Sequence, residues 1–254
     1  VTGASAATRL HLPGSSPVHR LPAEVKIVAA VTFVFVVVAT PREAMWAFGA
    51  YLALLAAVWT VAGIRLSWLA PRMLIELPFV VLAVLLPFAE GGERVVVAGI
   101  SLSVPGLYAA WGILAKGTLG VLVSLTLAAT TAVRELPEAL ARLHVPGSIT
   151  TIVVLMIRYA DLLAAEAHRM RIARLSRGDD PRTLRQVGAT ARGIGGLFLR
   201  AYERGERVHL AMLSRGFSGT VPAFGPPARS TDWISALAPS ACAVLVCTTA
   251  WVTA

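Results

Sequence analysis

Two stretches of the chain, 38 residues apart, repeat a basic decapeptide. Arg169-Met-Arg-Ile172-Ala173-Arg-Leu175-Ser176-Arg177-Gly178 aligns with Arg207-Val-His-Leu210-Ala211-Met-Leu213-Ser214-Arg215-Gly216. Arg, Ala, Leu, Ser, Arg and Gly recur at fixed offsets. A guanidinium is a planar, permanently charged fork that suits a carboxylate or a cluster of carbonyls on another molecule. A single Ser-Arg-Gly is explained by an Arg complementing a helix dipole. A matched copy is not, because dipole complementarity needs no Ala, Leu and Ser at set distances. The chemistry indicated is recognition by two exposed arginines, Arg177 and Arg215.

Other chemistry finds little footing. Gly112-Ile-Leu-Ala-Lys116-Gly117-Thr118 has Lys and Gly in the wrong order for a phosphate-binding loop, so any ATP hydrolysis belongs on another chain. The five His residues (11, 19, 144, 168 and 209) show no metal-ligand spacing, and no Cys cluster is present. Met156, Met170 and Met212 read as packing residues. Cys242 and Cys247 fall within an apolar run and behave as small apolar side chains. No catalytic, cofactor or metal site is expected on this chain. Glu76 and Lys116, ionisable groups inside apolar runs, are candidates for a transport role, unless they snorkel to the interface, Glu76 beside Arg72.

The tips need elements to hold them. Each decapeptide closes a helix-compatible stretch, Ser148–Gly178 and Pro181–Gly216, and each Gly stands where a helix C-cap wants one. Asp179-Asp180-Pro181 supplies the break, with Pro181 suited to the first position of the second helix. Ile152, Leu155, Met156, Tyr159, Leu162 and Leu163 form one apolar stripe. Arg158 with Asp161, and Glu166 with Arg169, are spaced to pair. In the second helix Leu197, Phe198, Ala201, Val208, Ala211 and Met212 oppose Arg192, Arg200, Arg204 and Arg207. The first helix is expected along a membrane's inner face.

Composition places these helices in a membrane protein. Of 254 residues 56% are hydrophobic and 15% charged, and mean hydropathy is +0.71; soluble domains carry about 25% charged residues. An ordinary soluble enzyme is excluded. Five apolar runs, Val25–Thr40, Ala44–Ile64, Leu74–Ala89, Leu107–Val133 and Trp233–Ala254, lack the period-two alternation of a barrel. About 20 apolar residues span the hydrocarbon layer as a helix, and the first and third runs are short. Net charge is +9, and residues 134–215 hold 14 of the 23 basic groups and 8 acidic ones. By the positive-inside tendency that segment, and the N-terminus with Arg9 and Arg20, are cytoplasmic. Arg65 and Arg72 then lie inside, and Pro41–Glu43 and the acidic Glu90–Glu93 loop outside. The expected class is all-α: about five transmembrane helices and a cytoplasmic pair of long helices. The expected divisions are a disordered cytoplasmic tail (1–22), four spans (23–133), the basic helices (134–220), and a linker with the last span (221–254).

With these features the chain resembles the transmembrane T component of energy-coupling factor (ECF) transporters, of the CbiQ type that serves cobalt uptake. The likeness covers about residues 22–220. It includes Pro22-Ala-Glu-Val-Lys26, Gly99-Ile-Ser101, Pro105-Gly106-Leu107, Thr130-Thr131, Leu143-His-Val-Pro146, Ile157-Arg158-Tyr159 with Glu166, and the tips Ser176–Gly178 and Ser214–Gly216 followed by Phe217 and Gly219. The family commonly has Ala-Arg-Gly where this chain has Ser-Arg-Gly twice. The resemblance implies a non-catalytic scaffold in a bacterial inner membrane. Two ATP-binding cassette ATPase subunits, holding ATP and Mg, would bind the tips. Ala173, Ala211, Arg158, Tyr159 and Glu166 would support the coupling helices. A CbiM-like membrane subunit would hold cobalt or nickel. A vitamin-type ECF importer is the alternative cargo reading. A membrane-embedded enzyme acting on a lipid or phosphate substrate is the alternative of another class, and it lacks a nucleophile or convergent acid–base set. Nucleic acid is excluded as a partner, because acidic groups interleave the basic helices between membrane spans.

Overall fold

The computed structural model describes residues 10–89, 91, 94–97, 100–178, 187–219 and 227–253. The Asp179-Asp180-Pro181 break and most of the Glu90–Glu93 loop lie outside them. The described residues fall into two compact units: those within 10–132 with 227–253, and those within 133–219.

The first unit is built on apolar helices. After the short α1 (Pro17–Arg20), α2 (Ala23–Ala39) and α3 (Met45–Ala62) form a first pair. A four-residue α4 (Leu66–Leu69) runs through a 3-10 segment, Ala70–Glu76, into α5 (Leu77–Ala89); this tightened stretch has Pro71 as its second residue and is followed by Pro78, neither of which can donate to the helical ladder. Strands β1 (Arg94–Val97) and β2 (Ile100–Ser103) pair antiparallel, Arg94 opposite Ser103, in an otherwise helical unit. Helices α6 (Val104–Thr130) and α10 (Ser230–Thr253) complete it. Among the described residues, five helical stretches are long and apolar enough to cross a membrane: Met45–Ala62, Leu66–Phe88, Val104–Thr130, Gly147–Leu175 and Ser230–Thr253. The count matches expectation but the membership does not. The first run forms a 17-residue helix, one residue shorter than α3, the shortest of these five. Gly147–Leu175, read from its charges as an inner-face helix, qualifies because its charges gather in its second half.

Packing follows from small residues and one-sided stripes. In α3, Phe48, Tyr51, Leu55, Trp59 and Ala62 are buried, while Trp46, Leu52 and Val61 are exposed. That outward face is apolar because its solvent is lipid. Gly63 (φ 70°) closes α3 in the left-handed conformation, and the Ile64 amide reaches back to the Trp59 carbonyl at 3.0 Å. The face α10 turns to α2 is lined by Ala236, Ser240, Ala243 and Ala250, all buried, and the Ser240 hydroxyl donates to the Ala29 carbonyl at 2.9 Å. Small residues let membrane helices approach closely. At the α5–α6 contact, a Cβ on Gly106 would lie 2.9 Å from the Leu86 carbonyl oxygen. Buried hydroxyl bonds add specificity: Trp59 Nε1 donates to Thr126 Oγ1 at 2.7 Å, and Thr40 pairs with Tyr51 at 2.7 Å.

Residues 10–22, expected to be disordered, are ordered. The Leu12 amide donates to the Ala129 carbonyl at 2.9 Å, and Lys26 donates to the carbonyls of His19 at 3.2 Å and Thr130 at 2.7 Å. Lys26 is 6% exposed and sits where α1 and α6 present their C-terminal carbonyls, the negative ends of their dipoles. Nearby Glu24 accepts from the Ala228 amide at 3.1 Å, just ahead of α10. The two charges that open α2 thus meet the ends of three other helices. A polar composition concealed this anchoring, because the anchors are backbone groups.

Glu76 also departs from expectation. It does not snorkel beside Arg72: it is 4% exposed and accepts from the Thr118 hydroxyl at 2.7 Å. Arg72 stacks on Trp68 instead, 4.0 Å from the ring centre. Lys116 reaches the Val38 carbonyl at 2.7 Å and helps cap α2.

The second unit holds a short α7 (Leu136–Arg142) and two long helices, α8 (Gly147–Leu175) and α9 (Val187–Leu213). His144 stands between α7 and α8 at φ 61°, a conformation that costs L-residues roughly 1–2 kcal/mol. The backbone around it closes α7, with the Val145 amide donating to the Leu140 carbonyl at 3.1 Å. His144→Gly is therefore expected to be tolerated, whereas His144→Val, β-branched at positive φ, loses about 1–2 kcal/mol more. Thermal denaturation of the two purified variants checks this.

Candidate functional site

The two repeats build the same turn. At the end of α8 the amides of Ser176, Arg177 and Gly178 donate to Ile172, Arg174 and Leu175 at 3.0 Å each. At the end of α9 those of Ser214, Arg215 and Gly216 donate to Leu210, Met212 and Leu213 at 3.0, 3.1 and 3.0 Å. Each Ser hydroxyl then bonds the Ala carbonyl three residues back, Ser176 to Ala173 and Ser214 to Ala211, both at 3.1 Å. Both glycines have φ 81°. A side chain there would find open space but a strained backbone. Ser thus adds a hydrogen bond to each turn that Ala could not make.

Both arginines are exposed, and neither guanidinium has a partner among the described residues. Around them the apolar positions of the repeat are also exposed: Ile172 and Leu175 at one tip, Leu210 and Leu213 at the other. Each tip is thus a small apolar knob carrying one uncommitted cation. Aliphatic side chains left in water beside a free guanidinium make a surface suited to a groove with an acidic or carbonyl-rich floor.

The helices behind the tips run antiparallel. Glu166 of α8 pairs with Arg200 at 3.0 Å and Arg204 at 3.7 Å, and Arg174 donates to Thr190 at 2.8 Å. The tips consequently stand at opposite ends of the pair, about 40 Å apart for helices of this length. Glu166 bonds across to α9, not to Arg169 as its spacing suggested, because the facing helix offers two guanidiniums one turn apart. Arg158 and Asp161 form no ion pair among the described residues, and Arg158 is exposed.

Tyr159 has a different setting. With Leu155 and Leu163 it faces Val208, Met212 and Phe217 across a cavity of about 210 Å³. The single apolar stripe read in α8 therefore divides: 155, 159 and 163 line this cavity, while Ile152, Met156 and Leu162 are exposed. Phe217 belongs to the second tip, its amide donating to the Met212 carbonyl at 3.0 Å. Sequence reading missed Thr151 here, which lines the cavity with its hydroxyl buried and unpartnered. Thr151→Val removes that unsatisfied group at constant shape, so a gain of about 1 kcal/mol is expected. An unchanged or lowered denaturation midpoint would contradict it.

Membrane-compatible helices and a duplicated arginine turn are now joined by a family match. The family of cobalt transport proteins named CbiQ matches residues 14–223. The chain belongs to this family. It is a multi-pass membrane protein and a transport component. Among similar proteins, the cobalt transport protein CbiQ of Rhodobacter capsulatus is 28% identical over 165 residues, 63% of this chain and 68% of that protein. The energy-coupling factor transporter transmembrane protein EcfT of Lactobacillus helveticus is 25% identical over 222 residues, 83% and 80% of the two chains. An uncharacterized protein of Methanocaldococcus jannaschii is 33% identical over 105 residues, 40% of this chain and only 38% of that protein. The family's matched range includes both arginine tips and the Glu24/Lys26 cluster.

Proposed function

We propose that this chain is the transmembrane scaffold of an ECF-type importer, and that it passes the work of ATP hydrolysis on two partner ATPases to a separate membrane subunit holding the cargo. The observation that carries the reading is the pair of tips: two turns alike bond for bond, each with an exposed guanidinium that has no partner within the described chain. Each Arg enters a groove on one ATP-binding cassette subunit, where a charge-assisted bond is worth roughly 1.5–3 kcal/mol. ATP and Mg reside on those subunits, and this chain supplies no catalytic group. When the ATPases move, the stiff α8–α9 pair moves with them, a rigid-body coupling of the kind that switches transporters.

The basic helices face the cytoplasm of a bacterial cell membrane, in keeping with their Arg content. Cobalt, or nickel, is the cargo favoured by the family match over most of the chain and by the Rhodobacter relative; the Lactobacillus EcfT likeness keeps a vitamin as the second reading. Co-expression with a tagged ATPase pair and a CbiM-like subunit tests the assembly. The chain is expected to co-purify with the ATPases, and cells carrying the set are expected to accumulate cobalt. Absence of the chain from the purified ATPases, despite normal membrane insertion, would overturn the scaffold role.

A further inference from the structure

In the first unit, where α3 ends and α4 begins, a cavity of about 580 Å³ lies among Arg65, Trp68, Arg72, His19 and residues 12–14. No carboxylate lines it. Arg65 is exposed and has no partner among the described residues. Arg72 is half-buried, held flat on Trp68 at 4.0 Å and tied to the Trp68 carbonyl at 2.6 Å. That bond uses one of the five donors a guanidinium carries. Two fixed positive charges thus share one hollow, and no described residue that lines it carries a negative charge.

His19 is part of the wall and not a third cation. Its Nδ1 sits 2.7 Å from the Ser16 hydroxyl, and its Nε2 donates to the Leu12 carbonyl at 3.1 Å. Burial above all pushes its pKa below the ordinary histidine value; the Leu12 bond opposes this, and the charges of Lys26 and His11 add lesser lowering effects.

The surface beside the hollow is apolar: Leu66, Leu74 and Ile75 are each at least 70% exposed. Trp68 has an apolar body and a polar edge, the side chain favoured at a headgroup boundary. Arg65 directly precedes Leu66, and Leu74 and Ile75 follow Arg72 by two and three residues, so the cations are next along the chain to exposed apolar side chains. We infer that this cavity holds the phosphodiester headgroup of an anionic phospholipid, with Arg65 and Arg72 on the phosphate and the acyl chains lying along Leu66, Leu74 and Ile75. Free phosphate would satisfy the two arginines but would leave the apolar wall unused. Basic pockets between membrane helices bind anionic headgroups by this combination.

Thermal denaturation of the purified full chain in detergent tests the assignment, with phosphatidylglycerol, phosphatidylcholine of the same acyl chains, or inorganic phosphate added. Phosphatidylglycerol alone is expected to raise the midpoint, by several degrees, and Arg65→Gln with Arg72→Gln is expected to weaken its apparent affinity at least tenfold. Because losing Arg72 also removes its stack on Trp68, Arg65→Gln alone serves as the second variant. With an unchanged lipid-free midpoint, it is expected to lose at least threefold in affinity. Equal stabilisation by phosphatidylcholine, an equal effect of inorganic phosphate alone, or unaltered phosphatidylglycerol affinity in Arg65→Gln would each overturn the proposal.

Discussion

Replacing Arg177 and Arg215 together with Ala is expected to abolish transport while leaving the protein folded and inserted. Both side chains are exposed and make no bond within the described chain, so their loss costs the fold little, within about 0.5 kcal/mol as for most surface substitutions. If the proposed scaffold role holds, each forms a charge-assisted contact of roughly 1.5–3 kcal/mol in the assembled transporter. Losing two removes roughly 3–6 kcal/mol, or two to four decades of affinity for the ATPase pair. The measurements are co-purification of the ATPases, cargo uptake, and the denaturation midpoint of the variant. Uptake at the level of the unaltered protein would refute the assignment of the tips. Loss of uptake with a large fall in midpoint would point to a folding role instead.

The second large effect is expected at Lys26, and there the fold itself should fail. Its ammonium group is buried and donates to Thr130 at 2.7 Å and to His19 at 3.2 Å. Lys26→Met keeps much of the stem volume but strands two carbonyls that water cannot reach readily. At about 1.5–3 kcal/mol for each charge-assisted bond, the loss is roughly 3 kcal/mol or more, a large share of the typical 5–15 kcal/mol of stability. A markedly lowered midpoint and new protease sensitivity in residues 10–22 are expected. A midpoint within a degree of the parent would show that the carbonyls are satisfied by other means. Arg should not rescue, because its planar fork is larger than the ammonium that fits between the helix ends.

The tips were legible from sequence because everything that makes them is local. Ser-Arg-Gly after a helical stretch specifies a C-cap, and both copies close their helices with that turn. The same holds for the apolar helices, whose length and composition are properties of single segments. Partner choice was not legible. Glu166 has Arg169 three residues away yet bonds Arg200 and Arg204, because the register of two antiparallel helices decides which cations face it. Glu76 was misplaced for the same reason: Thr118, 42 residues on, holds it in the interior. Residues 10–22 looked disordered because their composition is polar, whereas their order comes from Leu12 and His19 backbone groups meeting α6 and Lys26. The β1–β2 hairpin did carry a local signal, Val95-Val96-Val97 running into Gly99, too short to stand out between two long apolar runs.

The identity of the two turns bears on valency. In the proposed role, a single chain with one turn in duplicate, at two ends of a stiff pair, is a bivalent ligand. Once one turn is seated, the other searches a small volume, at an effective concentration that reaches the millimolar range for short tethers. Either contact alone can then be weak enough to exchange during a transport cycle while the pair stays assembled. Two like turns also suit a partner made of two like halves, so on the proposed reading an asymmetric membrane subunit would sit on a two-fold ATPase without symmetry of its own.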